Sequence, residues 1–190
     1  MPEPEGDKRR VAVLISGRGS NMKAIVEQAN GYEVALVASN KPLAPGLAWA
    51  REKAIPTWTW DSQGMDKDVW EGALQQSLED HRIGTIALAG FMRILSPEFT
   101  RRWAGRVVNI HPSLLPKYRG LDTHARALEA GDAVSGCSVH VVTEELDAGA
   151  LLGQIEVPVE TGDTPETLEQ RVLAAEHQLY PRVLSEFVKR

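Results

Sequence analysis

Short apolar runs and longer amphipathic segments alternate along the chain. An apolar run without polar alternation predicts a strand that is covered on both faces. Such runs lie at residues 11–15, 33–39, 85–89, 106–111, 138–142 and 151–157, with a Thr- and Trp-rich strand at 56–60. Apolar residues at helical spacing predict helices. These segments lie at residues 22–29, 46–54, 66–81, 123–130 and 164–190, and Ser96 with Pro97 starts one more helix.

The order of these elements predicts the fold class. Strands that alternate with helices are typical of an α/β protein with a doubly wound, mostly parallel sheet. The strands at residues 138–142 and 151–157 follow one another without a helix, so this pair is expected to be antiparallel or at an edge. The chain has no internal repeat and no low-complexity linker. We therefore predict a flexible tail at residues 1–9 and a single domain at residues 10–190.

One strand, at residues 106–111, ends in the polar side chains of Asn109 and His111. Side chains two residues apart on a strand point to the same side, and Pro112 ends the strand because it lacks the N–H that a ladder requires. An amide and an imidazole are therefore expected to project together from the carboxyl end of a parallel strand. In open α/β sheets that edge is where ligands bind.

A glycine-rich loop at residues 16–21 connects the first strand to the first helix. Its glycines let the backbone approach a ligand, and the helix N-terminus offers N–H groups to an anion. A dinucleotide fingerprint is absent, because Met22 stands at the third glycine position and Ser39 and Asn40 end the second strand. The P-loop pattern is absent too. A monophosphate site is favoured, and a tight turn that binds no ligand stays open as the alternative.

The remaining titratable residues narrow the chemistry. The histidines lack the i, i+4 spacing of a helical zinc motif and Cys137 has no thiolate companion, so no metal is expected. Cys137 is interpreted as a small buried residue, and His140 as an ordinary strand residue. There is also no G-x-S-x-G nucleophile motif. Asp147 is the best candidate for a charged partner of His111, although a carboxylate between two strands can equally cap a turn.

Composition and charge restrict the classes of partner. The net charge of −5 argues against nucleic acid, because nucleic-acid-binding proteins usually carry a basic face, but it allows a small phosphorylated ligand. No apolar run approaches the roughly 18 residues of a membrane span. The first ten residues lack a signal-peptide segment, and a single cysteine suits a reducing compartment. We therefore expect a cytoplasmic protein that binds small molecules and neither nucleic acid nor membrane.

Four motifs occur together over about residues 11–181. They are Ile15-Ser16-Gly17-Arg18-Gly19-Ser20-Asn21, Ala89-Gly90-Phe91-Met92-Arg93-Ile94-Leu95, Asn109-Ile110-His111-Pro112-Ser113-Leu114-Leu115-Pro116 and Glu145-Leu146-Asp147. In this order and spacing they resemble the phosphoribosylglycinamide formyltransferase family. The resemblance implies a Rossmann-like formyltransferase fold. It also implies that the formyl group of 10-formyltetrahydrofolate, the co-substrate, passes to the amine of glycinamide ribonucleotide in purine biosynthesis. Monomer and homodimer both stay open.

The resemblance also implies roles for individual residues. Asn109, His111 and Asp147 match the catalytic set. The residues that match those holding the phosphate and sugar of the ribonucleotide are Gly19, Ser20, Asn21 and Glu176. The residues that match the folate site are Lys67, Met92, Arg93, Ile94, Leu95, Asn109, Thr143, Glu144, Glu145, Leu146 and Asp147. The domain then divides into a phosphate-binding half at about residues 10–105 and a catalytic and folate half at about 106–190.

The chemistry that the resemblance implies suits these residue types. An amine that attacks a formyl carbon generates an oxyanion, and Asn109 with a protonated His111 would donate hydrogen bonds to it. A carboxylate from Asp147 would favour the charged imidazole and could relay, through a water, the proton that the amine loses. This direct attack requires no covalent intermediate on the enzyme.

The chain departs from the family pattern at three positions. Lys67 stands where bacterial members often carry an arginine, so the charge is kept without bidentate geometry. Arg119 occupies a position where proline is common, and Ala148 replaces a frequent glycine. The alternative functions are a formyltetrahydrofolate hydrolase, which usually carries an added N-terminal domain and lacks this type of phosphate loop, and a non-catalytic folate- or nucleotide-binding module. Methionyl-tRNA formyltransferase is longer, with a basic C-terminal domain.

Overall fold

A computed structural model describes residues 4–190 of the chain. Its strands are β1 (Asp7–Ile15), β2 (Glu33–Ser39), β3 (Thr57–Thr59), β4 (Ile83–Leu88), β5 (Val107–His111), β6 (Val134–Val141) and β7 (Leu151–Pro158). Its helices are α1 (Ser20–Glu27), α2 (Pro45–Glu52), α3 (Lys67–Asp80), α4 (Pro97–Arg102), α5 (Thr123–Glu129) and α6 (Pro165–Phe187).

These strands form one sheet with the order β3-β2-β1-β4-β5-β6-β7. The first five strands of that order are parallel, whereas β6 is antiparallel to both β5 and β7. The predicted α/β class is therefore confirmed, with a doubly wound, mostly parallel sheet and an antiparallel strand near the C-terminal end. The strand order reverses between β1 and β4. In such sheets ligands bind outside the carboxyl ends of the strands at this switch point.

The N-terminal strand is longer than its apolar run indicates. β1 begins at Asp7, which pairs with Ile83 of β4. The tail predicted for residues 1–9 is therefore wrong for residues 7–9, and residues 1–3 lie outside the described part of the chain. The error arose because the first β1 residues are charged and partly exposed, which hides their strand character.

β6 also begins earlier than predicted, at Val134 rather than at residue 138. The pattern hides this part of the strand because Gly136 is a typical loop residue. In the sheet a glycine is needed there, since a Cβ atom on Gly136 would lie 2.1 Å from the carbonyl oxygen of Ile155 on β7. The additional residues of β6 extend its pairing with β7, from Val134 opposite Pro158 to Cys137 opposite Ile155.

Helices cover both faces of the sheet. Val11, Val13 and Ile15 of β1 face a core formed with α1, α2, α5 and α6, whereas Ala12 and Leu14 face a second core formed with α3 and α4. Because both faces are buried, the central strand carries a continuous apolar run.

Two helix starts that the sequence predicts support the site. Ser96 caps α4, and Thr164 caps α6 with a capping box. On α6, the buried hydroxyl of Tyr180 donates hydrogen bonds to the carbonyl oxygens of Leu88 at 3.0 Å and Val108 at 3.1 Å. The helix is therefore fixed to β4 and to β5, the strand that carries Asn109 and His111.

Candidate active site

Asn109 and His111 lie at the carboxyl end of β5, as predicted. The neighbouring strand β6 places His140 opposite Asn109 in the strand register. The amide nitrogen Nδ2 of Asn109 lies 3.3 Å from Nε2 of His140. Sequence reasoning missed His140, because only the register between β5 and β6 brings it to the pair. The alternation of side chains along an antiparallel β6 could have placed His140 on the correct face of the sheet. It could not have shown which residue of β5 lies opposite His140.

Asp147 joins this cluster from the loop between β6 and β7. Its Oδ2 atom lies 3.5 Å from His111 Nδ1, and its Oδ1 atom lies 3.5 Å from His140 Nε2. The backbone N–H of Gly120 donates to Oδ2 at 2.9 Å. Asp147 adopts a φ of 50°, a strained value for a residue with a side chain. Its carboxylate therefore contacts two imidazoles and a distant loop, and the predicted pairing with His111 is present.

The surroundings of Asp147 act on its pKa in opposite directions. Burial is the largest influence and raises the pKa of the carboxyl. The hydrogen bond with His140, the N–H of Gly120 and the charge of His111 lower it, and together they outweigh the burial. The net pKa of Asp147 lies below its ordinary value, so the residue is ionised at neutral pH.

His111 is buried, and both of its ring nitrogens face acceptors. Nε2 lies 2.9 Å from the carbonyl oxygen of Tyr118, and Nδ1 faces the carboxylate of Asp147. A neutral imidazole carries only one N–H, whereas the protonated ring carries two. Each ring nitrogen of His111 therefore has an oxygen acceptor within reach of an N–H, Nε2 at 2.9 Å and Nδ1 at the longer distance of 3.5 Å.

Asn109 keeps donor capacity beyond its contact with His140. The Nδ1 atom of His140 lies 3.0 Å from the carbonyl oxygen of Val141, and its Nε2 atom faces both the Asn109 amide and Asp147. At most one N–H of the Asn109 amide is directed at His140 Nε2. The second N–H remains for a ligand beside the half-buried side chain of Asn109.

The glycine-rich loop has the geometry of an anion site. Gly19 adopts a φ of 70°, which favours glycine, and provides no side-chain cap for α1. The first N–H groups of the helix, at Ser20 and Asn21, therefore remain for a ligand, as at other anion-binding helix N-termini. The loop is joined to the neighbouring segment, because the N–H of Met92 donates to Ser16 Oγ at 2.8 Å.

Glu176 lies beside this loop, although 155 positions separate it from Asn21. The Nδ2 atom of Asn21 donates to Glu176 Oε2 at 2.7 Å. Within residues 4–190, the buried Oδ1 atom of Asn21 has no hydrogen-bond partner. Burial raises the pKa of Glu176 to about 7, and the hydrogen bond from Asn21 only partly opposes this shift. A buried, incompletely satisfied polar pair of this kind is typical of a ligand site.

The segments predicted to bind folate combine exposed apolar side chains with anchored ones. Met92, Ile94 and Leu146 are exposed to 70%, 69% and 53%, whereas Leu95 is buried. Arg93 donates to the carbonyl oxygen of Ser62 at 3.1 Å and lies over the ring of Trp70. Exposed apolar groups on an anchored loop are typical of a binding rim.

The other predicted folate residues lie on the loop after β6 and at the start of α3. Glu144 pairs with Arg101 of α4, and Thr143 Oγ1 donates to the carbonyl oxygen of Glu145 at 3.1 Å. Lys67 is the first residue of α3, and its side-chain ammonium group forms no hydrogen bond or ion pair within the described residues. Its charge is therefore available to a ligand.

Comparison with known proteins shows the family to which this chain belongs. The Formyl transferase family matches residues 9–184. Phosphoribosylglycinamide formyltransferase of Escherichia coli K12 is 46% identical over 182 residues, which cover 93% of this chain and 86% of that protein. The crystal structure of phosphoribosylglycinamide formyltransferase from Brucella melitensis has a TM-score of 0.90 and 46% identity, and the match covers 95% of this chain and 96% of that chain. The chain belongs to the phosphoribosylglycinamide formyltransferase family.

Much longer proteins are equally similar over the same region. The trifunctional purine biosynthetic protein adenosine-3 of Gallus gallus is 46% identical over 183 residues, which are 94% of this chain but 18% of that protein. The homologue from Drosophila melanogaster is 46% identical over 188 residues, 95% of this chain and 14% of that protein. The chain therefore spans less than a fifth of the length of these relatives.

The described part of the chain contains neither a group of side chains suited to a metal ion nor a helix suited to a membrane span, and its one cysteine is buried. Between residues 4 and 190, no group of three histidine, cysteine or acidic side chains could hold a metal ion. Over the same residues, no helix is both long and apolar enough to span a membrane. Burial raises the pKa of the Cys137 thiol to about 12, so this cysteine is a buried small residue as predicted.

Proposed function

We propose that this chain is an enzyme that transfers the formyl group of 10-formyltetrahydrofolate to the amine of glycinamide ribonucleotide. The observation that carries the proposal is the convergence of Asn109, His111 and Asp147 at the carboxyl end of β5. Membership of the phosphoribosylglycinamide formyltransferase family supports the choice of substrates. The proposed step belongs to purine biosynthesis, for which a cytoplasmic location is expected.

In the proposed reaction, the amine attacks the formyl carbon and the carbonyl oxygen becomes an oxyanion. The free N–H of Asn109 and the Nδ1–H of His111, which forms only a long contact of 3.5 Å with Asp147, stabilise that oxygen in a buried setting, where such donors act most strongly. The ring of His111 is held between the carbonyl oxygen of Tyr118 and the carboxylate of Asp147. Collapse of the intermediate then breaks the bond to the folate nitrogen, and this nitrogen takes up the proton that the amine has lost, so that tetrahydrofolate leaves.

The attacking amine must lose a proton as the new bond forms. Asp147 is the ionised group beside the reacting atoms, and a water between its carboxylate and the amine relays the proton. His140 contacts the same carboxylate and holds Asn109, so we assign it a positioning role. The direct path also explains why the chain needs no nucleophile motif.

The two substrates are proposed to approach from opposite sides of this cluster. The ribonucleotide phosphate binds the N-terminus of α1 at Gly19, Ser20 and Asn21, and Glu176 accepts hydrogen bonds from the sugar hydroxyls. The pterin of the folate lies against residues 92–95 and 143–147, and Lys67 faces its carboxylates. The half before β5 thus holds most of the phosphate site, and the half from β5 onward holds the catalytic groups.

A turnover assay tests this function. The purified protein is mixed with 10-formyltetrahydrofolate, with and without glycinamide ribonucleotide, and tetrahydrofolate, formate and formylated ribonucleotide are measured. Consumption that requires the ribonucleotide supports transfer. Formate release without the ribonucleotide contradicts the proposal and indicates a hydrolase. Ligand binding without turnover contradicts it as well and indicates a binding module.

The pH dependence of the KM for glycinamide ribonucleotide is expected to depend on Glu176. With a pKa of about 7, its carboxylate becomes protonated as the pH falls and loses an acceptor for the sugar. The KM for glycinamide ribonucleotide is therefore expected to rise below about pH 7, by up to about tenfold for each pH unit. In Glu176→Gln the KM is already high at neutral pH and lacks this component.

The substrate phosphate also titrates near pH 6, so the comparison uses the ratio of the two KM curves. That ratio removes the contribution of the phosphate, which both proteins share. A wild-type curve that parallels the variant curve across this range would show that Glu176 does not contact the ribonucleotide.

A further inference from the structure

Residues 118–121, called the bridge segment here, contact both members of the proposed catalytic pair through the backbone. The carbonyl oxygen of Tyr118 lies 2.9 Å from Nε2 of His111. Two residues later the N–H of Gly120 donates to Oδ2 of Asp147 at 2.9 Å. The position of this short segment therefore determines the orientation of the imidazole and of the carboxylate together.

The bridge segment cannot hold its shape by local preference. Tyr118 adopts a φ of 58°, and Asp122, which follows the segment, adopts a φ of 57°. Such values are costly for residues with side chains, and they persist only when surrounding contacts enforce them. Arg119 and Leu121 of the segment are exposed, and Tyr118 and Gly120 are half-buried. Contacts from outside it must therefore fix the direction of its carbonyl and N–H groups.

Asp132 and Ser113 hold Tyr118, since the Tyr118 hydroxyl donates to Asp132 Oδ2 at 2.6 Å and Ser113 Oγ donates to the Tyr118 carbonyl oxygen at 3.3 Å, and Arg126 on α5 holds the rest of the segment. Its Nη1 atom donates to the carbonyl oxygen of Arg119 at 2.7 Å and to that of Leu121 at 3.2 Å, on either side of Gly120. Its guanidinium also lies over the Tyr118 ring, 5.0 Å from the centroid. With both flanking carbonyls drawn toward α5, the N–H of Gly120 faces Asp147.

Resting on the proposed function, we infer that Arg126 is a positioning residue for formyl transfer, acting through the bridge segment on His111 and Asp147. It does not contact either catalytic side chain. Arg119 adds a weaker tie, because its Nη1 atom lies 2.5 Å from Oε1 of Glu145, close to Asp147 in sequence. Both partners of that ion pair are largely exposed, so its contribution is small.

The test compares Arg126→Gln and Arg126→Lys with wild type in kcat, KM and the pH dependence of kcat. Misplaced catalytic groups lower kcat rather than weaken binding, and we expect kcat of Arg126→Gln to fall about tenfold with both KM values within about twofold. Arg126→Lys offers its N–H groups without the planar fork, so we expect about half of the loss on a logarithmic scale.

The pH dependence separates positioning from general destabilisation. The groups that face Asp147 are His111 of β5, His140 of β6 and the N–H of Gly120, with the Arg119–Glu145 pair nearby. Loss of the Gly120 N–H removes one influence that lowers the pKa of Asp147. The acidic limb of the kcat profile is therefore expected to move to higher pH in Arg126→Gln.

Arg182→Gln is the matched control, because Arg182 is an exposed arginine on α6 with no assigned role, and its kcat should equal that of wild type. The inference is overturned if Arg126→Gln keeps the kcat and acidic limb of wild type. It is also overturned if only the KM values rise. Wild-type protein that fails to transfer formyl groups at all would instead refute the proposed function, so the two failures are distinct.

Discussion

The Asp147→Asn variant is expected to lose about two to four orders of magnitude in kcat, with little change in either KM. The substitution preserves the size of the side chain and can still accept the hydrogen bond from Gly120. It removes the negative charge that faces His111 and His140 and the basic site for the amine proton. Both losses act on the transition state, and kcat is where such losses are measured.

Asp80→Asn is the matched control for this variant. Asp80 ends α3 just before β4 begins, at the amino ends of the parallel strands and so away from the site. Its exposed carboxylate accepts a hydrogen bond from Gln76. We expect the kcat of this control to equal that of wild type. A kcat for Asp147→Asn within a few-fold of wild type would remove Asp147 from the catalytic set.

The His111→Ala variant is expected to lose about two to three orders of magnitude in kcat, the usual cost of removing one oxyanion donor. It also removes the charge of His111, one of the influences that lower the pKa of Asp147. The remaining activity should therefore have an acidic limb at higher pH than that of wild type.

Folding needs its own measurement in this variant, because His111 is buried and its loss removes the shorter of two contacts to the Tyr118 carbonyl oxygen, which Ser113 Oγ also contacts at 3.3 Å. A lost hydrogen bond costs about 0.5–1.5 kcal/mol. Thermal unfolding therefore accompanies the kinetics, which are measured well below the midpoint. Normal turnover in a folded His111→Ala protein would contradict the assigned role, as would a loss of turnover that only reflects unfolding.

The strand-end pair illustrates what the sequence can predict. The apolar run before Asn109 and His111 predicts a buried parallel strand, alternation puts both side chains on one side, and Pro112 ends the strand. All three inferences use local rules and all three are confirmed. The same rules predict the alternation of strands and helices and hence the mostly parallel sheet.

The contacts that complete the site depend on tertiary structure. His140 reaches Asn109 only through the register between β5 and β6, and register depends on the packing of both strands rather than on either one alone. Asp147 lies on a connecting loop, so the pattern allowed a turn cap as readily as a contact with His111. Asn21 and Glu176 come from opposite ends of the chain. The family resemblance provided an expectation for Asp147 and for Glu176, whereas nothing predicted the contact of His140.

The most direct test of formyl transfer between the two substrates is a single-turnover experiment. The protein is in excess over formyl-labelled 10-formyltetrahydrofolate, and glycinamide ribonucleotide is present. Direct transfer between two bound substrates predicts that label leaves the folate and appears on the ribonucleotide at one rate, with none on precipitated protein. Label released as formate, or label retained on the protein, would contradict it.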